Sequence, residues 1–175
     1  MNRNIEIKAR VEDLASLEEL VRDLAGEGPT VLHQEDSFFR VGSGRLKLRR
    51  LSESEGELIF YTRPDCAMPA ESRYTVVPTA VPDDLLGILS QALGVRGVVR
   101  KHRSLYRIGN TRIHLDRVEG LGSFIELEVV LEPHQHPDEG ASVARGLMHN
   151  LGIREEALVE RAYIDLLESE QVKGT

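Results

Sequence analysis

The sequence predicts an α+β domain: eight antiparallel strands forming a closed or nearly closed barrel, with flanking helices. Three observations predict it. Eight segments read as strands, with turn residues between them. Helical periodicity occurs at the beginning, middle and end of the chain. Charged residues recur at i, i+2 on five strands, as if lining one shared surface. Eight strands are enough to close a barrel. No linker and no repeat interrupts residues 1–175, which are therefore expected to form one domain.

Residues 3–11 alternate, with Ile5, Ile7, Ala9 and Val11 on one face and Asn4, Glu6, Lys8 and Arg10 on the other. From Asp13 the period becomes helical: Leu14, Leu17, Val21 and Leu24 share a face, and the run Gly26-Glu27-Gly28-Pro29 stops it. Strands follow at 33–41, 45–51, 57–62 and 71–77, bounded by Gly42-Ser43-Gly44, a Ser/Glu/Gly turn at 52–56, Pro64-Asp65 and Pro78. Residues 82–93 read as a helix, with Leu85, Leu86 and Leu89 inward and Gly94 at its end. Three long strands come next, at 96–108, 111–118 and 123–131. Gly109-Asn110 is a hairpin signal, and Gly120-Leu121-Gly122 turns the chain again. After a loop at 133–137, residues 138–151 and 155–168 are predicted helical, and 169–175 are expected to fray.

Composition narrows the function classes. The chain is 41% hydrophobic and 29% charged, which suits a globular fold and argues against disorder. No apolar run approaches the roughly 20 residues of a membrane span. The first residues alternate rather than forming a signal-peptide core. Cys66 is the sole cysteine, which excludes an internal disulfide and a cysteine-based zinc site and favours a reducing compartment, read as the cytoplasm. A net charge of −7 argues against a dedicated nucleic-acid binder. A monomer or homodimer is expected. Eighteen of the 22 basic residues are arginine, whose donor fork suits phosphate oxygens, although a GC-rich genome gives the same bias.

The charge pattern on the strands is more telling. Residues 96–112 hold six basic residues and no acid, whereas 113–132 hold Asp116, Glu119, Glu126, Glu128 and Glu132 against Arg117 alone. Parity pairs Glu6 with Lys8, Lys47 with Arg49, Lys101 with Arg103 and Glu126 with Glu128; it also places Arg112, His114 and Asp116 on one face. A barrel interior carrying both signs is costly unless something binds there. Hard cations take carboxylate oxygens, and phosphates take Arg and Lys donors. Mg²⁺ or Mn²⁺ on Glu126, Glu128 and Glu6, facing Lys8, Lys47, Arg49, Lys101 and Arg103, fits a nucleoside or inorganic triphosphate. Arg112 is assigned to the same bed. No Walker or GxGxxG loop is present, and no Ser–His–Asp arrangement, so metal-assisted chemistry without a covalent intermediate is expected.

These residues carry a resemblance. Asn4-Ile5-Glu6-Ile7-Lys8 resembles the N-terminal ExExK strand of the CYTH family, the triphosphate tunnel metalloenzymes. The likeness continues through Gln34-Glu35-Asp36, Arg45-Leu46-Lys47-Leu48-Arg49, Tyr61-Thr62-Arg63-Pro64-Asp65, Glu71-Ser72-Arg73-Tyr74 and Lys101-His102-Arg103. It is densest over 114–128 and ends at Ala162-Tyr163-Ile164-Asp165, so it covers about residues 3–167. The resemblance implies an eight-stranded tunnel acting on ATP, tripolyphosphate or thiamine triphosphate, as in class IV adenylate cyclases and triphosphatases. It implies Glu6, Glu126 and Glu128 as metal ligands with Asp116 close by, and Lys8, Lys47, Arg49, Lys101 and Arg103 as triphosphate ligands. The wording of 114–128 is most similar to class IV adenylate cyclases, although their His-Phe ahead of ExExK is missing. Asn4 stands at the first acidic position, and Thr62 where a lysine thought to help activate water would align. Parity points the adjacent Arg63 to the opposite face. A non-catalytic binding module is the alternative that Asn4 suggests.

Other candidates are weaker. His134-Gln135-His136 with Asp138 reads as a surface loop. His114 fits either a place near the substrate or a packed, hydrogen-bonded position. Phe60 and Tyr61 read as core, and Cys66 as incidental.

Overall fold

Every alternating segment becomes a strand, and the eight close on themselves. The computed structural model describes residues 1–173. Its elements are β1 (Asn2–Arg10), α1 (Leu14–Ala25), β2 (Thr30–Phe39), β3 (Arg45–Arg50), β4 (Gly56–Thr62), β5 (Ala70–Thr79), α2 (Pro82–Leu93), β6 (Val95–Ile108), β7 (Thr111–Val118), β8 (Gly122–Val130), α3 (Pro137–Asn150), a short 3-10 turn (Glu155–Ala157) and α4 (Tyr163–Lys173). Around the barrel the order is β1-β5-β4-β3-β2-β6-β7-β8, and every neighbouring pair is antiparallel.

The usual polarity of a small barrel is reversed. Apolar residues point outward, where helices cover them. Ile7, Ile113, Leu115, Ile125 and Leu127 pack under Leu14, Leu17 and Val21 of α1 and Met148 of α3. Ile5 and Val129 pack under Ala141 and Ala144 of α3. Burying side chains of this size stabilises the fold by roughly 1.5–3 kcal/mol each. The helices sit where local chemistry starts and stops them. Asp13 caps α1 by accepting from the Ser16 amide at 3.1 Å, and Gly26 ends it in the left-handed region at φ 73°.

One end of the barrel is stoppered. Phe38, Val99, Val118 and Phe124 cluster there with Ala162, Tyr163 and Ile164. The chain reaches this end along β1, through a bridge between Ala9 and Leu158 and a bond from the Val159 amide to the Lys8 carbonyl. Asp165 then anchors α4 to the wall. It accepts from Arg45 at 2.7 Å, from Arg96 at 2.5 Å and from the Ala162 amide at 3.1 Å.

The helical expectation for 155–168 needs correcting. Residues 155–157 form the 3-10 turn and 158–162 are not helical: Leu158 bridges to Ala9, the Val159 amide donates to the Lys8 carbonyl, and the chain bends at Arg161. Helix resumes at Tyr163 and runs to Lys173, past the expected fraying point; residues 174 and 175 lie outside the described residues. Among the described residues, no helix is long and apolar enough to cross a membrane.

Candidate functional site

Strand parity delivers charged side chains to the barrel interior. β1 contributes Asn4, Glu6 and Lys8; β3 contributes Lys47 and Arg49; β6 contributes Lys101, Arg103 and Arg107; β7 contributes Arg112 and His114; β8 contributes Glu126 and Glu128. With Asp36, Glu57 and Arg63, eight basic side chains and five carboxylates line one cavity of about 360 Å³. That size suits a small ligand, and the excess of cations suits a polyanion.

Register decides which charges meet. Lys8 lies opposite Glu126, Glu6 opposite Glu128, Arg49 opposite Asp36, and Arg103 opposite Asp116. Arg103 Nε and Nη2 donate to the two oxygens of Asp116, each at 2.6 Å, and Nη2 also reaches Glu126 Oε2 at 2.6 Å. Lys101 at 3.1 Å and the Tyr163 hydroxyl at 3.0 Å donate to the same Asp116. Asp36 accepts from Lys47 at 2.6 Å and from Arg49 at 2.8 and 3.0 Å. Arg112 bridges Glu128 at 2.7 Å and the Tyr74 hydroxyl at 3.2 Å.

Burial and these pairings set the charge states. Burial alone would raise the Asp116 carboxyl, but Arg103 and Lys101 outweigh it and hold it down at about 2. Burial likewise opposes ionisation of Glu126, yet Lys8, Lys101 and Arg103 keep it well below the usual carboxylate range. Glu6 goes the other way. Burial pushes it up, Glu126 and Glu128 add to that, and Arg63 offsets only part. His114 is pushed down by burial first and then by Arg103, which favours neutral imidazole.

All the inward-facing residues expected from parity are present, but their grouping differs. The atoms closest to a metal-ligand set belong to His114, Glu126 and Glu128, which all lie within 4.8 Å of one another. Asp116 is not among them, because its oxygens are taken by Arg103, Lys101 and Tyr163. Glu6 stands beside the set, with Oε1 held by Arg63 Nη1 at 2.8 Å. The donors fit a divalent cation. One imidazole nitrogen joins two carboxylates, and His114 Nδ1 and Asn4 Oδ1 are two of four buried lining atoms without a hydrogen-bond partner, the others being Gln34 Oε1 and Arg112 Nε.

Three residues escaped the sequence reading. Arg63 points into the tunnel because it continues the inward row Glu57, Ile59 and Tyr61 of β4, whereas Thr62, expected to face inward, is exposed on the opposite face. Its Nη2 also donates to the Glu160 carbonyl at 2.6 Å. Asp36 shares the inward row of β2 with Gln34 and Phe38, a parity the sequence carries, and it holds Lys47 and Arg49 in place. Tyr163 belongs to the tunnel as well as to the helix, and Lys8 Nζ lies 3.9 Å from its ring centroid. Tyr61 also lines the tunnel. His136 caps α3 on the surface with Asp138 beside it, as a surface loop implies. Arg96 and Arg100 of the basic strand face outward, to Glu168 and Glu35.

The two ends of the tunnel differ in chemistry. Near the stopper lie Lys8, Lys47, Lys101 and Arg63, and the backbone of 160–161 accepts from Lys8 and Arg63. At the other end Leu32, Leu51, Leu105, Val76 and Tyr74 add apolar lining beside Arg49, Glu57, Arg107 and Arg112, and Leu51 is 39% exposed.

Comparisons place this arrangement. A Methanocaldococcus jannaschii protein described as a candidate adenylate cyclase is 23% identical over 171 residues, covering 93% of this chain and 97% of its own. A solved Pyrococcus horikoshii structure has a TM-score of 0.85 at 24% identity, over 94% of this chain and 99% of its own. A Hippeastrum candidate adenylyl cyclase, described as revealing a dominant triphosphatase activity, has a TM-score of 0.68 at 16% identity, over 97% and 96%. The CYTH domain profile matches residues 2–163, nearly the whole barrel and its stopper, and this chain belongs to the CYTH domain family.

Proposed function

We propose that this chain is a divalent-metal-dependent enzyme acting on a triphosphate, most like a class IV adenylate cyclase that converts ATP to cyclic AMP and pyrophosphate. The observation that carries this reading is the one-ended tunnel with surplus positive charge beside a carboxylate–imidazole donor set. Lys8, Lys47, Arg49, Lys101, Arg103 and Arg112 would bind the phosphates, using forks and ammonium groups already oriented by Asp36, Asp116 and Glu126. Glu126, Glu128 and Glu6 would hold Mg²⁺ or Mn²⁺, with Asn4 as a neutral oxygen donor. When bound, the ion supplies polarisation of phosphate oxygens and stabilisation of developing charge.

The cyclase reading requires an organic group on the triphosphate, and the apolar side chains Leu32, Leu51, Leu105 and Val76 at the open end suit one. The ribose 3′-hydroxyl would attack the α-phosphorus, with pyrophosphate leaving toward Lys8, Lys47, Lys101 and Arg63. A second reading, inorganic or thiamine triphosphatase, is favoured by the activity described for the Hippeastrum protein. Thr62 lies outside the tunnel, and Arg63, which lines it, is a poor proton acceptor because guanidinium stays charged, which weighs against that reading. Non-catalytic binding of triphosphate or polyphosphate is the remaining alternative. A lone free cysteine suits a cytoplasmic setting.

Product analysis tests this directly. Purified protein with Mg²⁺ or Mn²⁺ is incubated with ATP, tripolyphosphate or thiamine triphosphate. Cyclic AMP and pyrophosphate from ATP support the cyclase. Phosphate release from any of the three supports the hydrolase. Tight binding without product leaves the binding module.

A further inference from the structure

The tunnel's cations and carboxylates satisfy one another almost completely, and His114 does not share in this. Its side chain is 4% exposed, yet Nδ1 has no hydrogen-bond partner. It lies 3.5 Å from Glu126 Oε2 and 3.7 Å from Glu128 Oε1, long for a hydrogen bond to either. One imidazole nitrogen and two carboxylates, with ligand atoms all within 4.8 Å of one another, form a compact mixed donor set. β7 fixes the ring there, because His114 pairs with Glu126 across the β7–β8 ladder and Leu105 flanks it on β6.

The oxygens available to a hard ion are few. Glu126 Oε1 faces Lys8 at 3.2 Å, and its Oε2 faces Arg103 at 2.6 Å. Glu128 Oε2 faces Arg112 at 2.7 Å. On β1 the inward position beyond Glu6 holds Asn4, which adds an oxygen but no charge. Mg²⁺ demands near-octahedral oxygen coordination and gives up water reluctantly. An imidazole adds little for Mg²⁺ and much for first-row transition ions.

We propose that the divalent-cation site of this tunnel is a mixed nitrogen–oxygen site, His114 Nδ1 with Glu126 and Glu128, which takes a first-row transition dication such as Mn²⁺ in preference to Mg²⁺. This rests on the reading of a metal-dependent tunnel given above and names the ligand and the class of ion.

Mn²⁺ itself is the probe, in the absence of any triphosphate. Electron paramagnetic resonance titration gives its affinity, competition gives that of Mg²⁺, and pulsed measurements report ¹⁴N coupled to the bound ion. The wild-type chain should show imidazole ¹⁴N coupling. His114→Asp should lose it and lower the Mn²⁺-to-Mg²⁺ affinity ratio by about tenfold or more. Failure of Mn²⁺ to bind, or bound Mn²⁺ without ¹⁴N coupling in the wild type, overturns the assignment without needing any variant to fold. An unchanged affinity ratio in folded His114→Asp overturns it too. Tripolyphosphate binding is measured separately in chelator. If it is absent while ¹⁴N-coupled Mn²⁺ is present, the triphosphate reading falls and the metal assignment stands.

Discussion

Lys47 and Arg49 sit side by side on one wall of the tunnel and share a single buried carboxylate, Asp36. Remove its charge and two buried cations face each other uncompensated. Asp36→Asn should therefore cost about 3–5 kcal/mol of stability, the range for breaking a buried ion pair. Tripolyphosphate should restore much of it by supplying the missing negative charge. Urea unfolding with and without the anion checks both parts. Lys47 also gives the tunnel a pH response. Burial, then the neighbouring Arg49, lowers its ammonium from the ordinary 10.5 to about 8. Below pH 8 folded and unfolded chains both hold the proton; between about 8 and 10.5 the unfolded chain binds more, so the Lys47 contribution to stability rises with pH across that window. Anion binding runs oppositely, because it uses the charged form. Tripolyphosphate affinity should fall as pH rises through 8, with proton uptake on binding visible by calorimetry in buffers of different ionisation enthalpy. Lys47→Arg should abolish that uptake, since guanidinium stays charged. Parity made Lys47, Arg49, Lys101 and Arg103 legible as inward residues. It could not show that Asp116 serves its basic neighbours, because that depends on which side chain fills each gap between strands.

Among the elements, α3 lies close against the outer face of β1. A Cβ added at Gly140 would lie 2.7 Å from both Ile5 Cγ1 and Leu131 Cδ2. The helix thus rests directly on β1, the strand that presents Asn4, Glu6 and Lys8. Gly140→Ala should destabilise the fold by about 1–3 kcal/mol through overpacking and weaken anion binding as β1 shifts. Thermal unfolding and tripolyphosphate titration of one preparation would show both effects, and an unchanged melting temperature would refute the close contact. Periodicity revealed all eight strands and the first three helices, since each buries one regular face. It misplaced the start of the last helix. The backbone of 158–162 is claimed by partners far away in sequence, namely Ala9, Lys8 and Arg63, and no local pattern records them. Arg63 follows from parity once the inward row of β4 is known to be Glu57, Ile59 and Tyr61; the alternation alone does not say which of its two faces is the inner one.

At the scale of the whole molecule, charge is sorted by side. The chain carries a net −7, while the tunnel lining carries more basic than acidic groups, so the exterior is more acidic than the total suggests. Long polyanions meet that exterior, whereas a short one can pass inside. The protein should retain tripolyphosphate yet fail to shift duplex DNA at physiological salt, which a mobility-shift assay would decide. The stopper of Phe38, Val99, Phe124 and Tyr163 has a kinetic meaning as well. With one end shut, traffic is single file, and whatever goes in first comes out last. Phosphates drawn to Lys8, Lys47, Lys101 and Arg63 near the stopper would sit behind the organic group throughout a turnover. Under the cyclase reading, cyclic nucleotide must then depart before pyrophosphate. Product inhibition should reveal this order: pyrophosphate competitive with ATP, cyclic AMP noncompetitive, and the reverse pattern would mean that the closed end opens during turnover.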